Sequence, residues 1–187
     1  MNGERGNRAL VTVGSILFGI IVSTFIFMSS YNGLVDAKED VTYAQSEVQN
    51  KMLRRLELIP ELVKVTQAAA DHEKEIYAMI VEARKNLTVS IEDGSAANQI
   101  ADANNQVTVA LDKYINAVVE NYPEITATEQ YRALFDEIAG SVNRIDYARE
   151  EYNAAVSKYN RKIKRFPTSL FAALFGFNEA DPIKVEE

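Results

Sequence analysis

Between Thr126 and Phe166 apolar residues return every seven positions, at Tyr131, Ile138, Ile145, Tyr152, Tyr159 and Phe166. A second row follows four residues after each of the first five, at Phe135, Val142, Arg149, Val156 and Ile163, with Ala148 beside its one charged member. Positions i, i+4 and i+7 share a helix face, so the pattern predicts one long helix with a continuous packing stripe. Thr126-Ala127-Thr128-Glu129 has the form of a capping box at its start, and Pro167 stops it. About 40 residues at about 1.5 Å each make a rod of roughly 60 Å. A small domain cannot enclose such a rod, so other helices must lie along it.

Ahead of that helix, Ala9 to Ser30 runs without a single charge and is rich in Val, Ile, Leu and Phe. At about 1.5 Å per residue the run crosses a hydrocarbon core of roughly 30 Å. It is longer than the apolar part of a signal peptide, no small-residue cleavage motif follows it, and there is no Cys to carry a lipid. The reading is an uncleaved single-pass anchor. Arg5 and Arg8 precede it and Lys38 follows, which places the N-terminus in the cytoplasm and the domain outside.

After Tyr31-Asn32-Gly33-Leu34-Val35 a second helical pattern buries Leu34, Val41, Ala44, Val48, Met52, Leu56, Ile59 and Val63, with Pro60 predicting a kink or break. Asp71 suits a cap for a helix carrying Ile76, Ile80, Ala83 and Leu87. Glu92-Asp93-Gly94-Ser95 is a loop by composition, and a further row, Ile100, Val107, Leu111, Tyr114 and Val118, ends before Tyr122-Pro123. The fold predicted is all-α: a transmembrane helix, then an antiparallel four-helix, up-down bundle with long helices. Its divisions are residues 1–30 as tail and anchor, 31–166 as bundle, and 167–187 as an apolar segment with an acidic end.

Composition narrows the chemistry. With net charge −7 the chain repels phosphate backbones, so nucleic-acid binding is not expected. The chain has no Cys and one His. His72-Glu73 lacks the second His that zinc hydrolase helices carry four residues on, since position 76 is Ile, and position 69 is Ala where a bundle di-iron motif needs Glu. Asp146, Glu150 and Glu151 lie close on the long helix, but Arg144, Arg149 and Lys158 interleave with them as a solvated face. No catalytic, cofactor-binding or metal residues are assigned, and no cofactor is expected.

Several segments, taken in order, resemble the LemA family. They are Tyr31 to Val35, Gln45 to Gln49, Arg54-Arg55, Leu58 to Val63, His72-Glu73 and Ala83-Arg84, then Tyr122-Pro123, Asn143-Arg144-Ile145, Ala148-Arg149, Tyr152-Asn153, Tyr159-Asn160, Phe166-Pro167 and Phe175-Gly176-Phe177. The resemblance implies a single-pass protein of the bacterial inner membrane with a helical-bundle domain and no settled biochemical activity. The sequence departs from the family pattern at Tyr43, where Trp is usual, and at Val142, where an acid is usual.

Two groups of residues stand out as candidate surfaces. Arg149, Asn153 and Asn160 occupy a helix where Ala or Leu would propagate better. They read either as a polar layer that fixes register or as a recognition surface for a partner. Leu170, Phe171, Leu174, Phe175 and Phe177 lay apolar side chains on one face of a short helix ended by Gly176. That segment caps the base of the bundle or touches the membrane. The function expected is a non-catalytic scaffold or adaptor, with the bilayer as one partner and an envelope protein, or a second copy, as the other. The alternatives are a carboxylate and His72 metal enzyme, or a homo-oligomeric envelope structure.

Overall fold

The computed structural model describes residues 2–67, 69 and 73–184, with side chains from residue 13 onward. Asp71 and His72, a predicted cap and the one candidate metal-binding imidazole, lie outside the described residues, as do the last three. Among the described residues the regular structure is all helical: α1 (Asn2–Val65), α2 (Lys74–Glu92), α3 (Ala97–Asn121), α4 (Pro123–Thr126), α5 (Glu129–Lys164) and α6 (Thr168–Phe175). The residues fall into two compact units. One comprises Met1–Asp40 with Lys158–Ala180, and the other Val41–Ser157 with Asp181–Glu187.

The helix ends follow local chemistry. Pro123 opens the single turn α4, so Thr126 sits inside a helix with its hydroxyl donating to the Pro123 carbonyl at 2.9 Å. The cap of α5 is therefore Thr128, whose Oγ accepts the Tyr131 amide at 3.3 Å, two residues later than the predicted capping box starts. The Ala96 amide, just ahead of α3, donates to Gln99 Oε1 at 3.2 Å. Pro60 does not interrupt α1, which continues to Val65 with Pro60 on its exposed side. Gly94, at φ 65°, turns the chain between α2 and α3 in a conformation that L side chains resist.

The second unit is the bundle, with apolar faces from α1, α2, α3 and α5. Its core includes Val48, Met52, Leu56, Ile59 and Leu62 of α1, Ile80 and Leu87 of α2, Val107, Leu111, Tyr114 and Val118 of α3, and Ile138, Ile145, Tyr152 and Val156 of α5. The α5 stripe is rotated from the one predicted. At about 100° per residue, with Tyr131 as zero, Ile138, Ser141, Ile145, Ala148, Tyr152 and Val156 fall within about 100° to one side, whereas Phe135 and Val142 lie beyond the other edge. Small Ser141 and Ala148 are buried instead, and Phe135 and Val142 sit on the rim. Phe166 leaves the stripe entirely because α5 ends at Lys164.

Two polar contacts cross this apolar interior, both from α1 or the residue just past it to α3. Arg55, 1% exposed, donates from Nη2 to Asn104 Oδ1 at 2.6 Å and to the Asn104 carbonyl at 3.0 Å, and from Nη1 to Thr108 Oγ1 at 2.9 Å. Further along, the Thr66 and Tyr114 hydroxyls share a hydrogen bond of 2.6 Å. Contacts 55 to 104 and 66 to 114 advance together, so α1 and α3 run in the same direction, as an up-down bundle requires of its first and third helices. Burial pulls the Arg55 guanidinium down to about 10, against attraction from Asp112 and Asp146, so it remains a cation at neutral pH.

Removing the acceptor should therefore harm the bundle more than removing the cation. Asn104→Ala leaves a buried charge short of a partner and is expected to cost about 3 kcal/mol, whereas Arg55→Met leaves a neutral amide unpaired and costs about 1–2 kcal/mol. Urea unfolding of the detergent-solubilised chain checks the order, and the reverse order would show that the charge is not desolvated. A second expectation concerns alkali. Burial raises the phenols of Tyr114, Tyr131 and Tyr152. Groups whose folded-state value is raised contribute stability that is intact below their ordinary value of about 10 and lost as pH rises through the raised one. Because the lowered Arg55 value works in the opposite sense above about pH 10, the check is a comparison of variants: Tyr131→Phe should match the unaltered chain's change in unfolding midpoint between pH 8 and about 10 and lose less stability above it.

Candidate functional site

In the bundle unit the polar residues of α5 close on the chain's own C-terminal segment. Asn153 Nδ2 donates to the Ile183 carbonyl at 2.9 Å, and the Ile183 amide returns a bond to Asn153 Oδ1 at 2.8 Å. One side-chain amide thus pairs with both backbone groups of one residue, as a neighbouring strand would. Arg149 Nη2 donates to the Lys184 carbonyl at 2.8 Å, the Lys184 amide donates to Asn98 Oδ1 of α3 at 3.0 Å, and the Tyr152 hydroxyl donates to the Asp181 carbonyl at 3.0 Å. Between these polar contacts Ile183 is buried. Arg149 also reaches Asp146 at 3.5 Å.

The other unit repeats the device. Asn160 Nδ2 donates to the Ala180 carbonyl at 2.8 Å and its Oδ1 accepts the Ala180 amide at 2.9 Å. Both Asn side chains are half-buried at the border of the stripe, while Asn143 is exposed. In the same unit α6 packs on the end of the apolar run. Phe171 and Phe175 meet Phe27 edge-on at 5.1 and 5.7 Å, and Tyr31 contacts Phe175 and Phe177 at 5.2 and 6.0 Å. Leu170 and Leu174 point away and are exposed. Gly176, at φ 71°, ends α6 in the left-handed region where a residue with Cβ is strained.

Sequence reasoning singled out Arg149, Asn153 and Asn160 but not their common partner, the tail backbone, nor Asn98 and the Tyr152 hydroxyl beside them. A signal was present. Two Asn seven residues apart on a helix stand about 10 Å apart, the length of about three extended residues, and a Pro-containing tail followed. Among the described residues no three His, Asp or Glu side chains cluster as metal ligands would. The bundle unit also carries an open groove of about 470 Å³ between α2 and α3, lined by Met79, Glu82, Asn86, Asp102, Gln106 and Val109.

The LemA family model matches residues 44–187, which takes in the bundle, the clipped tail and α6. The chain belongs to the LemA family. Among similar proteins is the magnetosome protein MamQ of Magnetospirillum gryphiswaldense, 27% identical over 199 aligned positions that cover 95% of this chain and 72% of that protein. Magnetosome proteins MamQ 1 and MamQ 2 of Paramagnetospirillum magneticum are each 28% identical over 196 positions, covering 93% of this chain and 71% of theirs. With its apolar N-terminal helix this LemA protein is membrane-associated. Its departures from the usual family pattern, Tyr43 and Val142, are both exposed.

The paired amide clips make a local prediction. Asn153→Ala and Asn160→Ala each remove two hydrogen bonds, roughly 1–3 kcal/mol of local protection, so the Ile183 and Ala180 amides should exchange about tenfold or more faster. Hydrogen exchange resolved by residue reads this directly. Unchanged exchange at both amides would mean that the tail is held by its other contacts, those of Arg149, Tyr152 and Asn98 and the burial of Ile183, and not by the clips.

Proposed function

We propose that this LemA protein is a single-pass, non-catalytic scaffold of the bacterial inner membrane, with its N-terminus in the cytoplasm and its helical bundle outside. The observation that carries the reading is the surface of α1. Ile16, Leu17, Phe18, Ile21 and Phe25 all stand exposed, on a stretch that no other described residue buries. An uncharged run of that length left in water would be a large uncompensated apolar surface, whereas in a bilayer it is the expected lipid-facing side. Arg5 and Arg8 before it against Lys38 after it support the orientation.

The non-catalytic part of the reading rests on how the polar residues are used. Asn153, Asn160, Arg149 and Tyr152 hold the tail, and Arg55 and Asn104 hold two helices together, so the conspicuous polar side chains have structural work. That the relatives are named for a structure, the magnetosome, supports a role in assembly over one in a reaction. The bundle then serves as a mount for a protein partner in the envelope.

Crosslinking of the intact chain in its native membrane, followed by mass spectrometry of what is captured, tests this. One partner protein recovered at fixed stoichiometry is the expected result. Recovery of copies of the chain alone would replace the adaptor with a self-assembling structure. Metal analysis of the purified chain is the second test, because stoichiometric metal that is lost in His72→Ala would overturn the non-catalytic reading.

A further inference from the structure

From Tyr152 to Asn178 the sequence contains no Asp or Glu, yet it holds Lys158, Arg161, Lys162, Lys164 and Arg165. In a chain of net charge −7 this is a local reversal of sign. All five lie in the unit that contains the apolar run of α1, four at the end of α5 and Arg165 one residue past it. Lys158 is engaged with Asp40 at 2.8 Å and Lys164 with Glu179 at 2.8 Å, both on the exposed surface. The other carboxylates of this unit's described surface are Asp36 and Glu39 on α1. Arg161 and Arg165 are exposed. The end of the Lys162 side chain lies over Gly33, with Nζ 3.0 Å from where a Cβ would stand.

Gly33 is three residues beyond Ser30, where the apolar run ends, or about 5 Å further along the helix. The Lys162 ammonium is thus level with where headgroups begin if the run spans a bilayer. The apolar neighbours of the cluster stand at the same level. Phe171 and Phe175 pack on Phe27, within the run, and Phe175 also on Tyr31, just past it. Phe166, Leu170 and Leu174, four residues apart, are 81%, 62% and 72% exposed. The outward apolar row is Leu170 and Leu174 on one face of α6, preceded by Phe166 in the turn ahead of that helix, immediately after four basic residues.

We propose that Arg161, Lys162, Lys164 and Arg165, together with Phe166, Leu170 and Leu174, form an anionic-phospholipid site, with the cations on headgroup phosphates and the apolar row among the upper acyl chains. The proposal rests on the membrane reading above and assigns the occupant from charge complementarity and from depth relative to the apolar run. Expected from α6 alone, lipid contact would be hydrophobic and weak, because that helix carries no Lys or Arg. The end of α5 supplies the missing charge. Near an anionic surface each basic residue raises the equilibrium constant for contact about fivefold, and salt screens the effect.

The chain has no Trp, so Leu174→Trp creates a single fluorescent reporter. The intact Leu174→Trp chain is reconstituted in vesicles of phosphatidylcholine alone or mixed with phosphatidylglycerol, each with brominated acyl chains as quencher. Blue-shifted emission and quenching are expected, stronger with phosphatidylglycerol, weakened by salt, and reduced to the phosphatidylcholine level by Arg161→Gln, Lys162→Gln, Lys164→Gln and Arg165→Gln together. Circular dichroism of that variant confirms that it folds, and Arg161→Gln with Arg165→Gln alone, which spares the Glu179 pair, gives a milder second variant. Water-exposed emission in vesicles that retain the protein on flotation would overturn the site but not the anchor, whereas failure to float would overturn the anchor. Equal quenching in both vesicles would overturn headgroup recognition, and so would loss of the difference on adding inorganic phosphate at matched ionic strength.

Discussion

A helix of 36 residues, α5, has to bury one face along its length, and the rest of the molecule is arranged to let it do so. An α-helix turns about 100° per residue, so residues repeating every seven positions drift about 20° per repeat relative to a straight partner. The drift fixes which side chains finish inside. Tyr131, Ile138, Ile145, Tyr152 and Tyr159 remain within the buried sector, and small Ser141 and Ala148 are buried toward its far edge. Residues ahead of the stripe in angle, Phe135 and Val142, are displaced to the rim. No single strong contact produces this result; a geometric period applied over ten turns does.

Against that apolar background the few buried polar groups set direction and register. Hydrophobic packing is tolerant of sliding, because one Leu or Val resembles the next. The Arg55 fork on Asn104 and Thr108 and the Thr66 hydroxyl on Tyr114 are not tolerant, since a slip would leave a cation or a hydroxyl without its partner in a medium that penalises it. The desolvation that lowers the Arg55 value measures that penalty.

The residues after α5 follow a different logic, in which backbone rather than side chain is recognised. Asn153 and Asn160 each satisfy both the N–H and C=O of one tail residue, so a segment with no helix or strand to join still has its polar groups paired. Among the described residues after α6, Ile183 is the buried apolar side chain. α6 instead uses aromatic edges, with Phe171 and Phe175 against Phe27 and Tyr31, and turns Leu170 and Leu174 outward. The same short stretch of sequence thus carries a face for the chain itself and a face for its surroundings.

Periodicity and chain length were enough to read the all-helical class, the uncharged run, the long helix α5 and its stop before Pro167, because each is a property of residues near one another in sequence. The LemA resemblance was legible for the same reason, as an ordered series of short motifs. The cap of α5 is just as local: Pro123, three residues before Thr126, opens a helical turn of its own and moves the cap to Thr128. The tail clips, by contrast, were beyond reach. Asn153 and Ile183 are thirty residues apart, and a lone Asn on a helix border looks the same whether it meets water, a partner or the chain's own end. Burial of Arg55 was equally invisible, since nothing local distinguishes Arg54 from Arg55, and it is packing that puts one on the surface and the other against Asn104. Sequence determines the period and polarity of each segment, and only tertiary packing decides which polar groups lose water and therefore must find one another.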